Sequence, residues 1–226
     1  MQEKEKKIIT LDDVRQDEEV DTFVRLGNQY LGEMGFTEHG YRHLNLVVER
    51  GRRIMRELGF SERDVELTAI AAYLHDIGNV INRVGHSQSG AMLAYEILRR
   101  LGMPLEEISV IMAAIGNHDE SCGTPVNAIA AALILADKSD VHRSRVRNPD
   151  VSTFDIHDRV NYAVEKSELR VDGSQRTITM ELTIDIQICP VMEYFEIFLT
   201  RMVLCRRAAE FLNTRFGLLI NQARLL

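Results

Sequence analysis

Between Val126 and Ala136 the chain carries a single polar side chain, Asn127, and the run ends on Asp137. Eleven residues without a polar face have nowhere to meet water, so the stretch GTPVNAIAAALILADKSD reads as a helix buried on all sides. Asp137 continues the stripe Ala130, Leu133 and Ile134 and therefore points into the core. A carboxylate there costs several kcal/mol unless it is paired, hydrogen-bonded or bound to a metal. The fold must bring a polar partner to it.

A second buried run, ELTAIAAYLHDIG, starts after Ser61, ends at Gly78 and carries the pair His75-Asp76 at its C-terminal end. His43 shares a helix face with Val47, Ile54 and Leu58, in a segment from Tyr41 to Leu58 that Gly59 closes, and His118 follows Ile111 and Ile115 in the same way. One inward histidine is ordinarily a hydrogen-bonded core residue. Five inward groups, His43, His75, Asp76, His118 and Asp137, arriving on four helices, would all be unpaired polar groups in one core. A nitrogen and oxygen cage for a first-row transition metal satisfies them together, and a helix bundle is a usual host for one. His86, just before a helix that Ser87 caps and Gly102 closes, would add a second position. His39, His142 and His157 read as solvated or supporting residues.

The chain is mainly α. Six helical segments precede any strand, the first being a lead-in helix through Val24 to Met34 behind a loose acidic N-terminal tail. Beyond Asp150 the pattern changes, because Ile178, Met180, Leu182, Ile184, Ile186 and Ile188 alternate with mostly polar residues as one strand. Tyr162 to Val171 is its hairpin partner through the turn Asp172-Gly173-Ser174-Gln175, with a bulge between Val164 and Leu169. Pro190 opens a long amphipathic helix through Phe211. Three units follow: residues 1–40, the tail and lead-in helix; 41–150, a metal-binding helical domain; and 151–226, the hairpin and last helix, whose apolar face packs on the helical domain or on a second subunit, so that a homodimer is expected.

With 226 residues the chain can bury a substantial core without disulfides. Its net charge of −7 argues against a dedicated nucleic-acid binder. No apolar run approaches the roughly 20 residues that span a bilayer, and MQEKEKK is not followed by a signal-peptide core, so a cytoplasmic protein without membrane contact is expected. Cys122, Cys189 and Cys205 share no ligand-like spacing and read as reduced, partly buried small apolar residues.

The order His43, then His75-Asp76, then Asp137 resembles the H…HD…D signature of the HD superfamily of metal-dependent phosphohydrolases. YLHDIGNVINRVGHSQSGA is similar to the LLHDIGK…HSxxGA run of many members, AAIGNHDE to their AIxxHH segment and LILADKSD to their LxxADxLD segment. The likeness covers residues 41–147. It implies an HD-domain helical bundle with the hairpin and long helix appended. It also implies one metal on His43, His75, Asp76 and Asp137 and a second on His86 and His118, with Asp76 bridging. Two positions depart from the pattern: Asn79 stands where lysine is common after HDIG, and Asp119 replaces the second histidine of the HH pair.

One or two divalent transition ions are therefore expected, iron, manganese or nickel ahead of zinc or magnesium. Two such ions about 3.5–4 Å apart make hydroxide available near neutral pH and neutralise phosphate oxygens. Asp76 is the expected catalytic residue, orienting that hydroxide for attack on phosphorus. Lys138, Arg143, Arg145 and Arg147 follow the last ligand closely enough to bind phosphate. The expected substrate is a small phosphorylated molecule, a nucleotide or other phosphate ester. An HD-type di-iron oxygenase and a weakly catalytic metal-binding regulatory module stand as alternatives.

Overall fold

The computed structural model describes residues 8–226, so the tail expected at MQEKEKK lies outside the described residues. Helices α1 (Leu11–Arg15) and α2 (Glu18–Glu33) form the lead-in. Ile9, Leu11 and Val14 are buried, and Thr10 and Asp13 close a capping box, so the acidic segment expected to be loose is docked from residue 9 and helical from Leu11. Then come α3 (Tyr41–Glu57), α4 (Glu62–Leu74), α5 (His86–Leu101), α6 (Leu105–Gly116) and α7 (Ala128–Lys138). Helices α4 and α7 lie at the centre, with every residue from Leu67 to Leu74 and from Ile129 to Lys138 buried. They pack on each other, on α3 and on α6. That arrangement explains why neither sequence run has a polar face.

Helix α4 stops at Leu74, earlier than Gly78, with His75 as its C-cap and a 3-10 turn over Ile77–Val80. Helix α5 starts at His86, not after a Ser87 cap, because Gly85 takes a left-handed φ of 72° and serves as the N-cap. His86 is therefore the first residue of that helix.

The C-terminal part holds more than a hairpin and a helix. A short helix, α8 (Ile156–Ala163), precedes β1 (Val164–Asp172) and takes Tyr162 out of the expected strand, because the Asp155 side chain caps it at the Asp158 amide. Strand β2 (Thr177–Ile184) ends before Ile186, where the Asp185 amide turns to the Ala163 carbonyl at 2.8 Å and Ile186 is exposed. β1 and β2 pair antiparallel, Leu169 opposite Met180, with the expected irregularity between Val164 and Lys166. Helix α9 (Val191–Phe211) then crosses over to β3 (Arg215–Ile220), which lies parallel to β2 with Met180 opposite Leu218, and β4 (Ala223–Arg224) completes a sheet in the order β1-β2-β3-β4.

The alternating face of β2 is buried within the one chain, so it needs no second subunit to cover it. Helix α9 packs on α7, and α3 packs on β1, where Arg50 and Arg53 donate to the carbonyls of Ser167 and Leu169. Among the described residues no helix is long and apolar enough to cross a membrane. Cys189 and Cys205 are buried and free, whereas Cys122 is exposed.

Candidate metal centre

The packing of α3, α4, α6 and α7 brings their inward polar groups to one place. His43 Nε2 lies 3.3 Å from His75 Nε2 and 3.3 Å from Asp137 Oδ1, and His75 Nε2 lies 3.2 Å from Asp76 Oδ2. On the other side, His86 Nε2 stands 3.1 Å from His118 Nε2 and 3.4 Å from Asp76 Oδ1, and His118 Nε2 lies 3.9 Å from the same oxygen. Asp76 thus divides its two oxygens between two pairs of histidines. All six side chains are buried.

The outward ring nitrogens settle the tautomers. Nδ1 of His75, His86 and His118 faces the carbonyl oxygens of Ala72, Arg83 and Ile115 at 2.8, 2.9 and 2.6 Å, and Nδ1 of His43 faces Asp140 Oδ2 at 2.7 Å. Carbonyl and carboxylate oxygens accept here, so each Nδ1 carries a hydrogen, and each ring, once its Nε2 is unprotonated, turns that lone pair inward. Two such lone pairs 3.1 Å apart, at His86 and His118, repel unless a positive charge lies between them. Four lone pairs converging on two carboxylates, with each histidine held from behind, form a donor set that fits a divalent transition ion. Three overlapping triads have ligand atoms close enough to hold one: His43-His75-Asp76, His75-His118-Asp137 and Asp76-His86-His118.

The electrostatics agree. Burial opposes a charged His75, yet Asp76 and Asp137 outweigh it and raise its pKa to about 10. Burial likewise works against the carboxylates, but His75, His39 and His86 hold Asp76 well below the usual range, and Lys138 with His43 and His75 does the same for Asp137. Burial, with the charges of His75, Lys138 and His86, pushes His118 down to about 3. The cluster draws positive charge and cannot protonate all its rings to get it.

The two departures from the family pattern stand close by. Asn79 Nδ2 donates to Asp76 Oδ1 and to its carbonyl, both at 2.9 Å, and so fixes the orientation of that carboxylate. Asp119 Oδ2 lies 3.5 Å from His86 Nδ1, behind the ring and away from the cluster.

The four expected phosphate-binding cations do not gather at the cluster. Lys138 is buried between Asp137 and Glu120. Arg143 pairs with Glu165 at 3.1 Å, and Arg147 is exposed and bonded to Asn28. Arg145 is buried, donating to the carbonyls of Asp140 and Glu38, and only borders a cavity of about 260 Å³ beside the cluster. That cavity is lined also by Arg83, Arg201, His39, Phe36 and Phe198.

Arg83 Nη1 is 3.4 Å from His86 Nε2 and 3.7 Å from Asp76 Oδ1. No sequence signal marked Arg83 or Arg201 as cavity residues. Asp140 was findable, because it follows Asp137 by one more helical step on the same face. His39, expected to be solvated or supporting, is partly buried with its ring against that of His43, centroids 5.5 Å apart. Burial and the Arg145 charge hold its pKa well below the usual histidine value. His157 also lines the cavity, and His142 caps the 3-10 turn at residues 143–145.

A family model described as HD domain matches residues 40–159, more than half of the chain, and the chain belongs to the HD domain family. Uncharacterized protein MJ1020 of Methanocaldococcus jannaschii is 25% identical to it over 195 residues, covering 76% of this chain and 74% of that protein. Ribonuclease Y of Cutibacterium acnes is 28% identical over 162 residues, 70% of this chain but only 28% of the ribonuclease. Among solved structures, a predicted HD superfamily hydrolase from an uncultured Thermotogales bacterium aligns with a TM-score of 0.45 and 23% identity, over 59% of this chain and 75% of that one.

Proposed function

We propose that this protein is a metal-dependent phosphohydrolase that cleaves a small phosphate ester, with a nucleotide as the leading substrate class. The observation that carries the reading is Asp76, whose two oxygens face two separate histidine pairs beside an arginine-lined cavity. His43, His75, Asp76 and Asp137 would hold one divalent ion and His86, His118 and Asp76 a second, with iron, manganese or nickel the ions we favour for a set that mixes imidazoles, which suit iron and nickel, with carboxylates, which suit manganese. Such ions supply Lewis acidity, drawing charge from a phosphoryl oxygen and making a water acidic enough to lose its proton near neutral pH.

The chain's own groups do the rest. Arg83 reaches over the His86 side of the cluster, where its guanidinium can take two phosphate oxygens. Arg201 and Arg145 lie along the same wall, their charges offset by Glu120 and Asp140, and Phe36 and Phe198 line the cavity with apolar surface that limits water. Asn79 keeps Asp76 from rotating while substrate binds. At about 260 Å³ the cavity sits just below the roughly 300–1,000 Å³ of typical small-molecule sites, which favours one small molecule at a time.

The test is a panel of phosphate monoesters, diesters and nucleotides assayed with Mn²⁺, Fe²⁺, Ni²⁺ or Mg²⁺. Turnover is expected with at least one pair, and Asp76→Ala is expected to lower kcat/KM by about a thousandfold, since several kcal/mol of charge stabilisation goes with the bridge. Turnover that survives Asp76→Ala, or no turnover with any metal, would rule the reading out.

A further inference from the structure

A row of alternating charges runs from the cluster to the C-terminal helix. Asp137 turns Oδ1 to His43 and His75 and gives Oδ2 to Lys138 Nζ at 2.8 Å. Lys138 is shared: its Nζ also lies 2.5 Å from Glu120 Oε2. The other oxygen of Glu120 accepts from Arg201 Nη2 at 3.0 Å, and Arg201 stacks on the Phe198 ring with 4.2 Å to its centroid. Lys138 and Arg201 retain only 4% and 15% side-chain exposure, so water screens the row weakly. Arg201 lies on α9, beyond residues 40–159 that match the family.

A buried ammonium with Asp137 as its sole partner would neutralise that carboxylate and place an unshared positive charge beside the site for a divalent cation. Glu120 prevents both. We propose that Glu120 and Arg201 set the charge of the metal centre from behind: Glu120 draws Lys138 partly off Asp137, which leaves that carboxylate its charge for a metal ion, and Arg201 of α9 offsets part of the charge of Glu120. The inference rests on the metal-centre reading above. It differs from a plain structural clamp in one consequence. Removing Glu120 alone leaves the row with one excess positive charge, whereas removing Glu120 and Arg201 together restores neutrality, so the double variant should bind metal better than the single one.

The experiment titrates Co²⁺ into the metal-free full-length protein, following visible absorption, with thermal melting recorded for each variant. Glu120→Gln is expected to weaken Co²⁺ binding by about tenfold, at the low end of the roughly 10–100-fold losses seen when groups supporting metal ligands are removed. Glu120→Gln combined with Arg201→Met is expected to recover part of that loss, because the excess charge is gone while Lys138 still rests on Asp137 alone, even if it melts lower. Arg201→Met alone, which leaves one excess negative charge, is expected to bind about threefold more tightly. A Glu120→Gln protein that binds within twofold of wild type, or a double variant no better than it, overturns the proposal. Should Glu120→Gln not fold, Arg201→Met decides, and unchanged or weaker binding overturns it. Wild-type protein that takes up no Co²⁺ overturns the metal reading as well, whereas normal wild-type uptake with unresponsive variants removes this inference alone.

Discussion

A methyl group added at Gly78 would run into the His86 carbonyl oxygen and come within 2.5 Å of the Gly90 nitrogen. The 3-10 turn after His75-Asp76 therefore lies directly against the start of α5, and that contact sets His86 opposite Asp76 Oδ1. Glycine is required there for space, since the obstacles are backbone atoms that cannot swing aside. Gly78→Ala is expected to cost about 1–3 kcal/mol in urea unfolding, the range for overpacking a filled interior. It should also separate His86 from Asp76, which elemental analysis of metal-loaded protein would read as a lower metal content. A variant as stable as wild type with the same metal content would contradict this account of the turn.

At the scale of elements, the lead-in helices are clasped to the bundle by one arginine. Asp17 caps α2 by accepting from the amides of Glu19 and Val20 at 3.1 and 3.3 Å, and Arg100 of α5 grips both its oxygens at 2.8 and 2.9 Å. The Arg100 hydrogen bond, with the cap and against partial burial, lowers the Asp17 pKa. A carboxyl whose folded pKa is depressed contributes stability above its unfolded value, near 3.8, and that stability is lost as pH falls through the folded value. Asp17→Asn keeps an acceptor for the cap but loses the charge, so a modest cost of about 1 kcal/mol or less is expected for this part-exposed pair. Melting temperatures of the two proteins should differ at pH 7, draw together as the pH falls below 3.8 and converge only below the depressed folded value. A gap that persists at low pH would show that the charge is not what Arg100 holds.

For the molecule as a whole, the cluster ties distant parts of the chain together: its side chains come from α3, α5, α7 and the segments that follow α4 and α6, and Arg201 ties α9 to it through Glu120. An ion bound there would bind the folded state alone, because none of these groups are neighbours in the unfolded chain apart from His75 and Asp76. Free metal at a hundred times its dissociation constant is expected to add about 2.7 kcal/mol of stability, and chelation to remove it. Thermal melting with EDTA and with Mn²⁺ restored measures this. Equal melting temperatures would mean that the cluster holds no ion under those conditions.

The sequence by itself determined the buried helices and most of the inward groups, because a helix's period fixes which residues share a face, and an apolar run leaves a lone Asp137 or His75 no route to water. The same reasoning reached the buried face of β2, Ile178, Met180, Leu182 and Ile184, since alternation has only two phases, but not the pairing: Asp172, expected in the turn, stands opposite Thr177. Tertiary structure decided what pairs at a distance. Whether Lys138 faces substrate or lies between two carboxylates depends on Glu120 and on Arg201, 63 positions further along the chain, and no local periodicity carries that information. The same holds for β3, whose run RFGLLI has no clean alternation and becomes a strand because β2 offers it a partner edge.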